Sequence, residues 1–334
     1  MKPYDQLTRL GKIRRQRKIV EKALELYDLD VASVDFLADH TNTLFKITSA
    51  EGTKYAFRIY TDGENTLVEN RAEVFWLTAL DRDTDLNVPV PIANKDGEYI
   101  TLINLPGVPP DQRCQLMSWI PGKALADIKD ALNKENYFKY GQAQAKLHNH
   151  SESLHPLPAD ISPKKWDKVF YYPEEPVVYN QPEYSHLFSA EQVAILDKVI
   201  AKANKLLGDF FVDRGQPMLI HGDFHYWNLH LHKGELYLID FEDLNFGYDT
   251  QDVAITFYYG REQENAAELR QAFKEGYSSQ RPWPLESEEQ LQTLITARII
   301  MFCNFVAHGL PEEEAKKYLE GWFKNIETFA QTYC

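Results

Sequence analysis

HGDFHYWN (221–228), followed after a short hairpin pattern by LIDFED (238–243), is the stretch whose reading decides the fold. Its eight residues hold two histidines, an aspartate and an asparagine among aromatics. MLI (218–220) before it and LYLI (236–239) after it are short apolar runs suited to buried strands, and Lys233-Gly234 supplies a hairpin turn between them. The pattern therefore delivers His221, Asp223, Asn228 and Asp240 to loops at strand ends, where a rigid scaffold commonly carries its chemistry.

Three chemistries compete for these residues. A transition-metal site would use His221, His225, His230 and His232, but His230 and His232 alternate with Leu229 and Leu231 and share one face of a strand. A purely structural loop would use the aspartate and asparagine to cap turns. Phosphoryl transfer needs a carboxylate to accept a hydroxyl proton and hard oxygen ligands for Mg2+. Asp223, then Asn228 after four intervening residues, then Asp240 opening a loop after a strand, follows the order of a kinase catalytic loop and its metal aspartate. That order favours the third chemistry.

HGDFHYWN with LIDFED resembles the aminoglycoside phosphotransferase/choline kinase-like family, relatives of the protein kinases, over roughly residues 30 to 310. The resemblance implies an α+β, two-lobed protein kinase-like fold with a small antiparallel-sheet N-lobe, a larger mostly helical C-lobe, and ATP bound with Mg2+. The expected division is 1–118 for the N-lobe and 119–334 for the C-lobe. Carried over by motif, Asp223 is the catalytic base and Asn228 and Asp240 are the Mg2+ ligands. Glu242 stands near a second metal, Asp252 in TQDVAI braces the catalytic loop, and His221 is a structural brace. Trp227, directly before Asn228, shapes the acceptor side.

The upstream half offers a check on that reading. LFKITSA, Glu51-Gly52 and TKYAFRIY form a β-hairpin pattern. ENTLVENRAEVFWLTAL (64–80) then presents a broad apolar stripe of Leu67, Val68, Ala72, Phe75, Trp76, Ala79 and Leu80, as a helix packed on a sheet does. Arg58 in YAFRIY stands where the family strand carries Lys or Arg for the nucleotide phosphates, and Glu73 stands at the matching helix position. An exposed strand charge is the alternative reading of Arg58, and an acid on a helix that faces the sheet weighs against it. ADHTNTLFKI (38–47), at the place of a phosphate-covering loop, has no glycine, and Asn42 and Thr43 are its polar contacts for phosphate. LMSW (116–119) resembles the hinge whose backbone meets adenine, which nominates Met117, Ser118 and Trp119. The same stretch is also a plain core strand.

Beyond the hinge the pattern turns helical at 133–150, 190–212, 264–277 and two stretches after 286. Aromatics crowd 162–188, an ordered excursion because such side chains want burial.

Composition limits the partners. Of 334 residues, 36 are basic and 50 acidic, a formal charge of -14, against the basic footprint that nucleic acid requires. The run Arg14-Arg15-Gln16-Arg17-Lys18 fits a solvated helix face better than a nucleic-acid patch. The acid surplus favours a cationic acceptor and equally serves solubility. Cys114, Cys303 and Cys334 form no CxxC pair, the N-terminus has no apolar signal region, and no apolar run is expected to span a bilayer, all consistent with the cytoplasm. The resulting expectation is an ATP- and Mg2+-dependent phosphotransferase acting on the hydroxyl of an aminoglycoside-, choline- or homoserine-like small molecule. A Ser/Thr protein kinase of the same fold and a non-catalytic nucleotide-binding relative are the alternatives. The sequence does not specify the acceptor.

Overall fold

The computed structural model describes residues 2–334 apart from 40, 62 and 64. The first half of the chain carries α1 (Arg9–Leu24), β1 (Val31–Asp39), β2 (Thr43–Ser49), β3 (Lys54–Ile59), α2 (Leu67–Asp83), β4 (Pro91–Ile92), β5 (Thr101–Ile103), β6 (Gln112–Ser118), β7 (Lys123–Ala124) and α3 (Lys134–Ser153). The second carries α4 (Ala190–Asp213), β8 (Met218–Ile220), β9 (Leu229–His232), β10 (Glu235–Leu238), β11 (Asn245–Gly247), α5 (Asp249–Gly260), α6 (Ala266–Ser278), α7 (Glu288–Gly309) and α8 (Glu312–Tyr333). Two compact units form. One comprises 1–123, 157–162 and 229–242, and the other 124–156, 163–228 and 243–334.

The first unit is built on an antiparallel sheet in the order β1-β2-β3-β6-β4, with β5 pairing β6. Alternation along β2 turns Phe45 and Ile47 inward, and Phe57 and Ile59 of β3 join them in one core with Ile19, Val20, Ala23 and Leu24 of α1. The Glu51-Gly52 turn closes the β2–β3 hairpin, with Gly52 at a φ of 86° that favours glycine. α2 starts at a capping box between Thr66 and Glu69 and buries Trp76, Leu77 and Leu80. The basic run of α1 is put to structural use, since Arg15 donates to the carbonyl of Gly107 and Arg17 to that of Val34. The β9–β10 hairpin turns through Lys233 and Gly234, both at positive φ, and is tied to this unit by Asn87. The Leu238 N–H donates to the Asn87 carbonyl at 2.8 Å, and Asn87 Nδ2 donates to the Leu236 carbonyl at 3.0 Å.

The second unit is helical around the short β8–β11 pair. Its α3 and α6 approach closely enough that glycine is required on both. A Cβ on Gly276 would meet the Phe138 carbonyl oxygen at 1.9 Å, and one on Gly141 would meet that of Phe273 at 2.1 Å. Gly276→Ala is therefore expected to destabilise this unit by about 2–3 kcal/mol through overpacking, seen as a lowered melting temperature. The aromatic excursion is ordered as its composition suggests. Trp166, Val169, Tyr171, Val178 and Phe188 are buried, and Asn304 of α7 pins it by accepting from the Val178 N–H at 2.7 Å and donating to the Pro176 carbonyl at 2.8 Å.

One expectation needs correction. α7 is long and apolar enough to cross a membrane by length and composition, yet 78% of its most apolar window is buried inside the protein. Its apolar surface is consumed by packing on α4, α5 and α8, the environment of a core helix that is apolar all round.

Candidate active site

Arg58 and Glu73 occupy the first unit. Arg58 projects from β3 and Glu73 from α2, and both are buried, with Arg58 Nη1 2.7 Å from Glu73 Oε1. A second carboxylate, Glu242, lies 3.9 Å from the same nitrogen. Burial opposes the charge on Arg58, but Glu73, Glu242, the nearby Tyr60 and Asp240 outweigh it and raise the guanidinium pKa well above its ordinary value. Tyr60 completes the cluster: its hydroxyl lies 3.1 Å from Glu73 Oε2 and 2.6 Å from Gln115 Oε1, and Arg58 lies over its ring. Arg58 is thus a fixed buried cation, and its reading as a stray surface charge falls away.

Asp240 follows β10 at a φ of 68°, a left-handed conformation that aspartate tolerates better than most residues and that directs the next turn. Phe241 is buried edge-on against Trp76 of α2, ring centroids 5.5 Å apart, which anchors the Asp240–Glu242 turn on the helix that carries Glu73. Asn42 donates to Glu242 Oε2 and accepts from the Thr61 N–H at 2.9 Å.

Thr43 differs from expectation. Its hydroxyl donates to Asp39 Oδ1 at 2.9 Å and accepts from Gln16 Nε2 at 2.7 Å, so its one proton is committed away from any phosphate. Met117 is buried and pairs with Ala56. The Ser118 N–H donates to the Val90 carbonyl at 2.9 Å, and its hydroxyl accepts from the Val90 N–H at 2.8 Å. Half-buried Trp119 is the first residue past β6.

Asp223 and Asn228 occupy the second unit. Gly222, at a φ of 79°, bends the chain out of β8 and places Asp223 at the start of the loop. Four donors converge on the Asp223 carboxylate. Arg298 Nη2 of α7 reaches Oδ1 at 2.8 Å and the Tyr259 hydroxyl reaches it at 3.3 Å. On Oδ2, His225 Nε2 lies at 3.0 Å and Asn228 Nδ2 at 3.3 Å. Burial would raise the Asp223 pKa, but the His225 hydrogen bond and the Arg298 guanidinium hold it well below the usual carboxylate range. The Trp227 N–H donates to His225 Nδ1 at 3.2 Å, which leaves the ring proton on Nε2, facing Asp223. Asn228 Nδ2 also donates to the Asp223 backbone carbonyl at 2.9 Å, so its amide oxygen points away from that carbonyl. Trp227 is about half exposed.

Asp252 on α5 braces this loop from below. Its two oxygens accept from the His221 N–H at 3.2 Å and the Gly222 N–H at 3.0 Å, and His148 Nε2 lies 3.1 Å away. His221 itself is fully buried and accepts the Asp223 N–H at 3.4 Å, a structural position. Burial pushes the Asp252 pKa up, but His148 and the backbone donors bring it below the ordinary value. A depressed carboxylate pKa stabilises the fold above the unfolded pKa, and that contribution is lost as pH falls through the folded one. Asp252→Asn is accordingly expected to lower the melting temperature at pH 7 and to narrow the gap from wild type as the pH falls below about 4.

Three residues escaped the sequence reading: Arg298, Tyr259 and Asp243. Asp243 accepts from the Tyr172 hydroxyl at 3.1 Å, and burial together with the Asp223 charge raises its pKa. Among the described residues no group of three His, Cys, Asp or Glu side chains could hold a metal ion, and His225 is engaged with Asp223.

A sheet unit with a helix-fixed buried cation, and a helical unit with a braced aspartate loop, are the parts of a protein kinase-like phosphotransferase fold. The model of the phosphotransferase enzyme family (APH) matches residues 34–288, and the chain belongs to that family. Among solved structures, an amicoumacin kinase in complex with AMP-PNP, Ca2+ and Ami is 18% identical, with a TM-score of 0.77 over 96% of each chain. A microcompartment-associated aminopropanol kinase is 21% identical, with a TM-score of 0.74 over 95% of this chain and 97% of that one. A spectinomycin phosphotransferase in complex with ADP and spectinomycin is 15% identical, with a TM-score of 0.64 over 95% of this chain and 98% of that one. No curated protein matches the chain.

Proposed function

We propose that this enzyme transfers the terminal phosphoryl group of ATP, as its Mg2+ complex, to a hydroxyl of a small amine-bearing molecule. The observation that carries the reading is Asp223: a partly buried, ionised carboxylate held by four donors on a loop that also presents Asn228. In the reaction a bond forms between the acceptor oxygen and phosphorus, the bond to the bridging oxygen of the departing ADP breaks, and the acceptor proton passes to Asp223. The low basicity of Asp223 suits a base that orients the hydroxyl and takes its proton late. Arg58, fixed by Glu73, offers a guanidinium to the nucleotide phosphates.

Asp240 and Glu242 in the first unit, and Asn228 in the second, each offer hard oxygen donors of the kind that suits Mg2+, which usually takes one or two carboxylates and completes its shell with water and phosphate. Once bound, the ion offsets phosphate charge. Acceptors bearing amines are supported by the acid surplus of the chain and by the names of the structural relatives. The cytoplasm, where ATP and free thiols coexist, fits three unpaired cysteines, two of them buried.

An ATP-consumption screen with Mg2+ against amino alcohols, aminosugars, sugars and hydroxyamino acids tests the reading. It expects turnover with at least one amine-bearing alcohol, and nucleotide binding without turnover across the panel would overturn it. In the same assay Arg58→Met is expected to raise the KM for ATP about tenfold or more, and Arg58→Lys less, because lysine keeps the charge without the planar fork.

A further inference from the structure

We infer that Arg298 is a positioning residue for Asp223, and that the Tyr259 hydroxyl occupies the place on Asp223 which the acceptor hydroxyl takes. This rests on the phosphotransfer reading above. An ionised carboxylate offers about four lone-pair sites, and all four on Asp223 are met by protein donors. The acceptor hydroxyl must therefore displace one of them.

Three of the four are held by something else as well. His225 is locked by the Trp227 N–H on its far nitrogen. Asn228 keeps its bond to the Asp223 carbonyl wherever the carboxylate turns. Arg298 is only 4% exposed, and moving it away would leave a buried guanidinium without its carboxylate. Tyr259 is held less firmly: its hydroxyl also meets Arg298, which stays on Oδ1 when the tyrosine tilts. It sits at the half-buried end of α5, its bond is long at 3.3 Å, and its donor is a neutral O–H, the same chemical group that the acceptor brings. Its ring rests on that of His225 with centroids 3.9 Å apart, so a small tilt frees Oδ1 while the ring contact is kept.

Arg298 is ill suited to a purely structural part. Its Nε and Nη1 find no acceptor among the described residues, and its Nη2 bond is directed at the one carboxylate the reaction uses. The side chain lies over Phe302 at 4.8 Å, which fixes the plane of the guanidinium. A charge held so rigidly sets the orientation of the carboxylate and remains beside it when the acceptor proton arrives.

The test uses the full-length enzyme and the acceptor that turns over in the screen. Arg298→Met is expected to lower kcat about 100-fold with less than threefold change in either KM, and Arg298→Lys to recover about tenfold of that loss. In an Asp223→Asn background the same Arg298→Met change should cost almost nothing further. Tyr259→Phe should lower the acceptor KM about threefold, because the competing hydroxyl is gone. Near-wild-type kcat in Arg298→Met, with Asp223→Asn inactive, overturns the inference and leaves phosphotransfer standing. Wild-type turnover by Asp223→Asn overturns phosphotransfer through Asp223 itself. A 100-fold fall in kcat for Tyr259→Phe overturns the place-holding. Should Arg298→Met fail to fold, Arg298→Lys decides: a kcat defect at constant KM supports positioning, and a KM defect alone overturns it.

Discussion

Asp223→Asn is expected to reduce kcat by about three orders of magnitude, the range that a positioned general base supplies. The substitution is nearly isosteric, so the loop brace at Asp252 and the Arg58–Glu73 pair are untouched. What changes is the donor and acceptor pattern. The asparagine oxygen can still accept from Arg298, while its NH2 must face the His225 Nε2–H and the Asn228 NH2, so two donors meet a third. Thermal unfolding should show a modest loss, of about 1–3 kcal/mol for the unsatisfied donors, and calorimetry should show ATP affinity close to wild type. Product formation at the wild-type rate would remove Asp223 from the chemistry.

Gly222→Ala carries the largest expected cost to the fold of the site. The residue has a φ of 79°, which disfavours any side chain, and a Cβ there would sit 2.1 Å from the Asp243 carbonyl oxygen and 2.6 Å from Asn245 Nδ2. Left-handed backbone alone costs alanine about 1–2 kcal/mol, and the backbone contact adds overpacking of about 1–3 kcal/mol. Relief requires the loop to move away from β11, and the Gly222 N–H would then leave Asp252 Oδ1. Since Asp223 is the next residue, its carboxylate moves with the backbone. A displacement of that size is expected to cost about 100-fold in kcat, together with a lowered melting temperature. An alanine variant with normal melting and turnover would mean that the loop adapts without disturbing Asp223.

Much of the fold was legible because its signals are local. The β2–β3 hairpin announced itself through β-branched and aromatic runs on either side of Glu51-Gly52. The helix carrying Glu73 showed its apolar stripe, while its Thr66–Glu69 capping box appeared only in the structure. The order of Asp223, Asn228 and Asp240 pointed to phosphate chemistry because oxygen ligands and a base recur at that spacing. Thr43 misled: a polar residue in the expected loop looks available until the partners of its hydroxyl, Asp39 and Gln16, are known. The β9–β10 hairpin follows the catalytic loop in sequence, yet it belongs with the sheet unit, because its backbone is tied to Asn87.

The sequence by itself determined the family and the residues on which the proposed chemistry rests: an aspartate and an asparagine on one loop, an aspartate after a strand, and a cation on a strand opposite an acid on a helix. Only the tertiary structure decided how the base is held. Arg298 lies 75 residues beyond Asp223, and His148 lies 104 residues before the Asp252 that it meets. Such pairs leave no local pattern, because they depend on which helix faces pack together rather than on spacing along the chain. The one trace of Arg298 in the sequence is a lone charge within the apolar run LITARIIMF (294–302). A buried charge in a core helix must be paired to offset its desolvation, and only the fold shows that its partner is Asp223.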